Sequence, residues 1–417
     1  SWGALQGALL MTIPSHVARS CKLPAGADLT VLSWNILAPA WTDPIRYAHV
    51  AHEAAAVLHW PARLPRIIEE IERSAPDIIC LQEVEFALFE EDVMPALVSL
   101  GYFGVMQNDP KRSSDHPAGN ATFWRDDNFR LQTESSRSRT LTTVLSDISN
   151  RNIAVVNCHL EGDPRQAVTR VKQLQSALRQ ASAADHHALI IAGDFNCDLR
   201  SSASAAFLAF GSVPIGVQEW GHDVPPAASE VPAHGYSLSS AYSPELADEF
   251  SFTIRGSSVW FLDQLWFTPS ALEVLATRSA FDGPEHRTAV LAQGLPSAKD
   301  PSDHLPIAVA FRWTSTSPAN LMVSREQPVV QVQASDLERE AAELLAACPI
   351  SEAQRTEWLR VTAPPPDLPK KQKPSPEQLA SLKELQRDKE SLLAEVGEDA
   401  KAMLLRVQQL ARKARKG

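Results

Sequence analysis

The sequence has no uninterrupted run of 18 apolar residues, which excludes a conventional membrane-spanning helix. Cysteine is scarce: Cys21, Cys80, Cys158, Cys197 and Cys348 are the only five in 417 residues, and no two form a CxxC pair. An odd, scattered set excludes a disulfide framework and a structural zinc site. Three of the five lie in or beside apolar runs and are expected as small, reduced core residues. Excess positive charge is missing too. There are 39 Lys and Arg against 50 Asp and Glu, a net charge of −11 and a pI near 5.6. That balance excludes a protein that coats nucleic acid through many phosphate contacts. It does not exclude an enzyme acting on one phosphodiester, because bound divalent cations supply positive charge locally. No internal repeat is present. The expected location is intracellular and cytoplasmic, with organelle targeting left open because the chain begins at Ser1.

What is present is a long stretch of alternating strand and helix signals. Leu29–Trp34 reads as a buried strand, and Leu64, Ile67, Ile68 and Ile71 mark one face of a helix within 60–74. Strands are expected at 78–81, 153–158, 188–191, 261–267 and 306–313, with a second amphipathic helix over about 165–183. Strands rich in β-branched residues, interleaved with such helices, make a layered α/β or α+β domain. Residues 1–28 carry no clear period and read as an N-terminal extension, with the catalytic domain over 29–313. A Ser/Pro-rich linker is expected over 314–334, then a helical, proline-interrupted tail over 335–417. Ser335 and Glu338 suit a capping box, and 412–416 is a basic run that matches the dipole of a helix end.

The chemistry gathers where strands end. Asn35 closes the first strand, Glu83 the second, His159 the run 153–158, and Asp194 with Asn196 the run 188–191. Asp303 and His304 precede the last strand, and Asp263 sits within the apolar run 260–267, where burying it without a partner is costly. Hard oxygen donors at strand ends suit a divalent metal that neutralises charge during phosphodiester hydrolysis, since the sheet fixes their geometry. Each cluster alone is explained by a turn or a cap. Six of them in this order are not.

The order of these motifs resembles the endonuclease/exonuclease/phosphatase superfamily, with the DNase I-like fold, and within it the Ccr4/nocturnin/Angel-type group. The resemblance rests on 32–38 (LSWNILA), Trp60 and Arg63, 79–85 (ICLQEVE), His159-Leu160 with Asp163-Pro164, 193–196 (GDFN), Ser239–Tyr242, and 294–296 with 301–304. It implies an α+β, four-layer α/β/β/α sandwich of two mixed sheets flanked by helices, plus the helical C-terminal tail. It implies Mg²⁺, with Mn²⁺ as a substitute, held by Glu83 and Asn35, and Asp303 assisting a second metal. Asp194 and Asn196 then position the attacking water, His159 bonds a phosphate oxygen, and His304 touches the scissile phosphate with Asp263 orienting its ring.

Two departures bear on substrate choice. Leu262-Asp263-Gln264-Leu265 stands where the group has I-D-Y-I, and Ser257 or Ser258 stands where deadenylases carry a base-stacking aromatic. Trp260, together with Asn120 and Trp124 of the run 119–124, remains as the substrate-binding candidates. The expected activity is 3′→5′ exoribonuclease action on RNA tails, deadenylase-like. The alternatives are a phosphatase of small nucleotides or of RNA 2′,3′-cyclic phosphate ends, and an inactive binding module. RNA is the expected partner, with a protein partner through the C-terminal helices.

Overall fold

The computed structural model describes residues 14–24, 26–108, 117–243, 246, 249–254, 258–314, 342, 345–346, 348–362, 388, 391–392, 400, 404 and 407. Residues 315–334, the Ser335–Glu338 capping box, the proline-rich segment 363–376, the basic end 412–416 and Ser257 lie outside them. The chain divides into two compact units, 1–324 and 325–417.

The first unit contains fifteen described strands: β1 (Ser15–Val17), β2 (Leu29–Asn35), β3 (Ile78–Glu85), β4 (Tyr102–Met106), β5 (Ala118–Arg125), β6 (Phe129–Arg137), β7 (Thr140–Asp147), β8 (Asn152–His159), β9 (Ala188–Asp194), β10 (Gln218–Glu219), β11 (His222–Asp223), β12 (Ser239–Ser240), β13 (Asp263–Phe267), β14 (Leu272–Arg278) and β15 (Ile307–Trp313). Seven form one sheet, in the order β1-β14-β15-β2-β3-β5-β4, and six form another, in the order β12-β13-β9-β8-β7-β6. Both sheets are mixed. The β2–β3 and β8–β9 pairs are parallel, while β15–β2 and β13–β9 are antiparallel. This is the expected two-sheet α+β sandwich.

Period-two alternation decides what faces what. Leu29 and Val31 of β2, and Ile78 and Cys80 of β3, point between the sheets. There they meet Ile153, Val155, Ile190, Leu265 and Phe267 in one core. The alternate residues Leu32, Trp34, Ile79 and Leu81 face outward and are covered by Ile67 and Ile71 of the helix Trp60–Ser74. The helix Ala167–Ala181 contributes Val171, Leu174 and Leu178 to the core of the second sheet. Cys80, Cys158 and Cys197 are buried and free, and burial pushes the Cys80 and Cys197 thiols up to about 12.

The N-terminal extension contributes more than its sequence announces. β1 pairs in parallel with β14 at the sheet edge. Arg19 beside it is buried, and bonds Asp300 at 2.6 Å and Glu70 at 3.0 Å. In the second unit, Leu345, Cys348, Trp358, Leu392, Ala400, Leu404 and Val407 share a small core, and Glu352–Thr362 is helical. Among the described residues, no helix is long and apolar enough to cross a membrane.

Gly193 lets β8 and β9 lie side by side at the end of the second sheet. Its φ is +149°, and a Cβ there would stand 1.9 Å from the Cys158 carbonyl oxygen, which is fixed backbone. Gly193→Ala therefore forces the two strands apart. Its expected cost is about 3 kcal/mol or more, read as a fall in the urea midpoint at unchanged m-value.

Candidate active site

The inward-facing rows of β2, β8 and β9 run out at one end of the sandwich, and the last residue of each row is polar. On β2 this is Asn35, on β8 His159 and on β9 Asp194, with His159 and Asp194 in register. Asp263 opens β13 instead of closing it. Because β13 is antiparallel to β9, Asp263 still lies opposite Asp194. By the same logic β15 is antiparallel to β2 with Ile307 opposite Ser33, so Asp303 and His304 arrive at the end where Asn35 sits. Asp263 and Asp303–His304 fall before or at the start of their strands for this reason.

Glu83 reaches the centre through a β-bulge. The β3–β5 register shifts between Leu81 and Val84, and Glu83 sits at φ +61°. A bulge re-aims a side chain. Gln82 keeps the inward position and donates to Asn157 Oδ1 across the sheets at 2.9 Å. Leu37 (φ +58°) and Asn196 (φ +50°) are also left-handed non-glycine residues at this end. Strained backbone of this kind persists where the surroundings over-determine it.

Asn35 ties the carboxylates together. Its Nδ2 donates to Glu83 Oε1 at 2.9 Å and Asp194 Oδ2 at 3.0 Å, and its Oδ1 accepts the Leu37 N–H at 3.0 Å. The second Glu83 oxygen accepts the Ala38 N–H at 2.9 Å. His159 Nε2 lies 3.6 Å from Asp194 Oδ2 and 3.9 Å from Glu83 Oε1. His304 Nε2 also lies 3.6 Å from Asp194 Oδ2, so two imidazoles and one amide surround the same oxygen. The Asn196 N–H bonds Asp194 Oδ1 at 2.8 Å, and its Nδ2 bonds the Leu160 carbonyl at 2.9 Å.

His304 Nδ1 is 2.7 Å from Asp263 Oδ2, the partner that the buried Asp263 requires. Asp303 is buried and accepts the Tyr47 hydroxyl at 2.7 Å, with Arg46 at 3.7 Å. Neither Tyr47 nor Arg46 was marked by the sequence, since both lie in a loop without a periodic signal. Behind them Arg63 is fully buried and donates to the carbonyls of Leu58, Ile36, Pro301 and Leu37 at 2.7–3.0 Å. One guanidinium thus clamps the loop after Asn35 to the loop before Asp303.

The substrate-binding candidates fall in different places. Asn120 is buried, and its Nδ2 is spent on the Arg139 and Asn157 carbonyls. Trp124 is a core residue, 1% exposed. Trp260 is half-buried and stacks on Phe252, which packs 4.8 Å from the His304 ring.

Burial pushes the Glu83 carboxyl up, against the pull of the His159 imidazole 3.9 Å from its Oε1. At His304 burial alone would lower the pKa, but Asp263 and Asp194 outweigh it and hold the imidazolium up at about 10. Burial raises the Asp263 carboxyl as well, while the His304 ring at 2.7 Å opposes that rise. A histidine raised from 6.5 contributes stability that is complete below pH about 6.5 and is lost as pH rises through about 10. In EDTA, urea unfolding from pH 6 to 10 should show this decline, and Asp263→Asn should flatten it. An unchanged slope in the variant would place the proton elsewhere.

The geometry can be set beside known proteins. The Endonuclease/Exonuclease/phosphatase family model matches residues 32–304. The CCR4-Not complex 3′-5′-exoribonuclease subunit Ccr4 of Saccharomyces cerevisiae is 26% identical over 340 residues, covering 70% of this chain and 40% of that protein. The 2′,5′-phosphodiesterase 12 of Rattus norvegicus is 28% identical over 336 residues, covering 70% and 53%. The chain thus spans about half the length, or less, of these curated relatives. Among solved structures, that of ANGEL2, a 2′,3′-cyclic phosphatase, superposes with a TM-score of 0.57 at 26% identity, covering 68% of this chain and 94% of that one. With the family model spanning the site from β2 to His304, this chain belongs to the Endonuclease/Exonuclease/phosphatase family.

Proposed function

We propose that the protein is a divalent-metal-dependent phosphodiesterase that removes nucleotides from RNA 3′ ends. The observation that carries this reading is the gathering of Glu83, Asp194, Asp263 and Asp303 at one point, facing His159 and a protonated His304. Four carboxylates exceed the positive charge that these side chains supply. Among the described residues, no group of three or more His, Cys, Asp and Glu side chains is placed to hold a metal ion by itself, so an ion here would take only one or two of these carboxylates. That donor set suits Mg²⁺, which takes one or two carboxylates and completes its shell with water and substrate phosphate oxygens. Glu83 would hold the ion, with Asn35 beside it and Asp303 at the margin; Mn²⁺ has the same oxygen preference. Bound there, the ion neutralises charge that develops on the phosphate oxygens.

The chain's own residues account for the other tasks. Asp194 and Asn196 orient a water in line with the scissile bond. His304 donates its Nε2 proton to a phosphate oxygen while Asp263 holds the ring by Nδ1. His159, 3.6 Å from Asp194 Oδ2, donates to another phosphate oxygen. RNA as substrate is supported by the likeness to the 3′-5′-exoribonuclease subunit Ccr4. The second reading is a phosphatase, acting on RNA 2′,3′-cyclic phosphate ends, as the ANGEL2 likeness supports, or on an NADP-type nucleotide. The 325–417 unit is proposed as a docking element for a protein partner.

Incubation of 5′-labelled fifteen-nucleotide oligoadenylate with Mg²⁺ should give a ladder. EDTA should abolish it, and Asp194→Ala should slow it by about a thousandfold or more, the scale of losing a group that acts only in the transition state. Phosphate release from NADP⁺, or opening of a cyclic phosphate end with inert oligoadenylate, would replace the first reading by the second. Inactivity on all three would leave the binding module.

A further inference from the structure

Asn120 is spent on backbone carbonyls, and one of them belongs to a residue beside the reaction centre. β6 and β7 are joined by Ser138 and Arg139, with Arg137 opposite Thr140. Two buried amides, one just past β4 and one on β5, pin this turn from the other sheet. Gln107 donates its Nε2 to the Arg137 carbonyl, and Asn120 donates its Nδ2 to the Arg139 carbonyl at 3.1 Å. The Gln107 side chain is held in turn, since its Oε1 accepts the Asn120 N–H at 3.1 Å. The His159 N–H also bonds the Arg139 carbonyl, at 3.0 Å. Donors from outside the turn thus fix where Arg139 stands.

Register decides which way its side chain goes. β7 is antiparallel to β8 with Thr140 opposite Cys158, so one step further on Arg139 stands opposite His159. Residues directly opposite in an antiparallel pair present their side chains to the same face. Arg139 therefore lies one strand over from His159, about 4.8 Å away in backbone spacing, on the face where His159 approaches Asp194 and Glu83. Arg137, opposite Thr140, takes the other face, on which Ser135 bonds Gln180 of the helix Ala167–Ala181 at 2.8 Å. The Arg139 guanidinium meets the Glu161 carboxylate only loosely, at 3.5 Å, with side-chain exposures of 32% and 28%. A solvent-accessible pair of this kind contributes little. The guanidinium can exchange that carboxylate for a phosphate oxygen, which its fork of donors also fits. Charge supplies the reason to do so. The chain has a net charge of −11, and four carboxylates gather at the site, so a strand's further phosphates meet a repulsive field. A cation fixed beside His159 offsets that field for the phosphate next in line.

We propose that Arg139 binds the phosphate adjacent to the scissile one in a nucleic acid strand, so that the site favours substrates with at least two consecutive phosphodiesters. This deepens the proposed function and rests on it.

The test compares the fifteen-nucleotide oligoadenylate with the same strand carrying a neutral methylphosphonate at the second linkage from its 3′ end. The bases are identical, so one charge is the difference, and removal of the first nucleotide is followed. The unmodified protein should cut the native strand with a kcat/KM about tenfold higher, through KM. Arg139→Gln should cut both strands alike, at the slower rate, and Arg139→Lys should recover part of the preference. The log–log salt slope of kcat/KM should become shallower by about 0.7 in Arg139→Gln, the value of one phosphate contact on a single strand. Arg137→Gln removes the same charge from the other face and should keep the full preference. A preference equal in the unmodified protein and Arg139→Gln, or absent from both, overturns the proposal while leaving the proposed function intact. If neither strand is cut, the proposed function fails and the contact is judged by binding. Anisotropy of the labelled strands in EDTA should then show the native strand preferred only where Arg139 is present. Equal Kd values, or none measurable, overturn it.

Discussion

Everything at the open end of the sandwich answers to one constraint, the confinement of four carboxylates where the two sheets run out. Two like charges about 4 Å apart repel by roughly 4 kcal/mol at an effective dielectric of 20. Asp194, Asp263 and Asp303 are buried, and Glu83 keeps only 13% of its side chain in solvent. The surroundings are correspondingly rich in donors. Asn35 bridges Glu83 and Asp194, the Tyr47 hydroxyl caps Asp303, and His304 stands between Asp263 and Asp194 as a cation. Burial pushes the Tyr47 hydroxyl up and Asp303 pushes it further, so the phenol remains a donor. These contacts hold the carboxylates apart in a fixed pattern without cancelling their charge, as the proposed divalent-metal site requires.

Fixing that pattern strains the backbone locally, and the strain is countered from behind. Leu37, Glu83 and Asn196 all occupy left-handed conformations around the centre. Arg63 holds the Leu37 carbonyl, and with it the carbonyls of Ile36 and Pro301, so the Asn35 and Asp303 loops cannot drift separately. Ser302 adds a bond from its hydroxyl to the Asn35 carbonyl at 2.6 Å, and Trp34 donates to the His304 carbonyl at 2.8 Å. Arg19, Glu70, Arg278 and Asp300 form a further buried charge network that anchors the loop three residues before Asp303. Burial lowers the Arg63 pKa to about 10, still well above neutrality, so the clamp stays charged under ordinary conditions.

The core of this arrangement was legible in the sequence because each strand that carries a site residue is buried on both faces and reads as a continuous apolar run. β2, β3, β8, β9 and β15 announce themselves in this way, and their polar terminal residues stand out against it. β6 does not. It is mostly exposed, and Gln132, Glu134, Ser135 and Ser136 give it no apolar period. β1 is three residues long and is held by pairing with β14, a contact more than 250 residues away in sequence. Arg63 was visible as a motif residue, but its role was not, since all four of its acceptors are backbone carbonyls, which no side-chain pattern reveals. Tyr47 and Arg46 were invisible for a related reason: they act through a loop whose path is set by the clamp.

The same distinction separates the chemistry from the choice of substrate. The residues proposed to handle the phosphate sit at strand ends, where register fixes their place. Proteins with different substrates can therefore use the same arrangement. Residues that read the rest of the substrate must come from the connections between strands, because the sheet ends are already occupied. In this chain the long connection from β9 to β13 holds Trp220, Phe252 and Trp260, and it also packs Phe207, Leu208, Ala241 and Tyr242 into the core. A substitution within that connection can change what is held without disturbing what is cut. A substitution in the Asn35–Arg63–Pro301 clamp cannot, since it moves the carboxylates themselves.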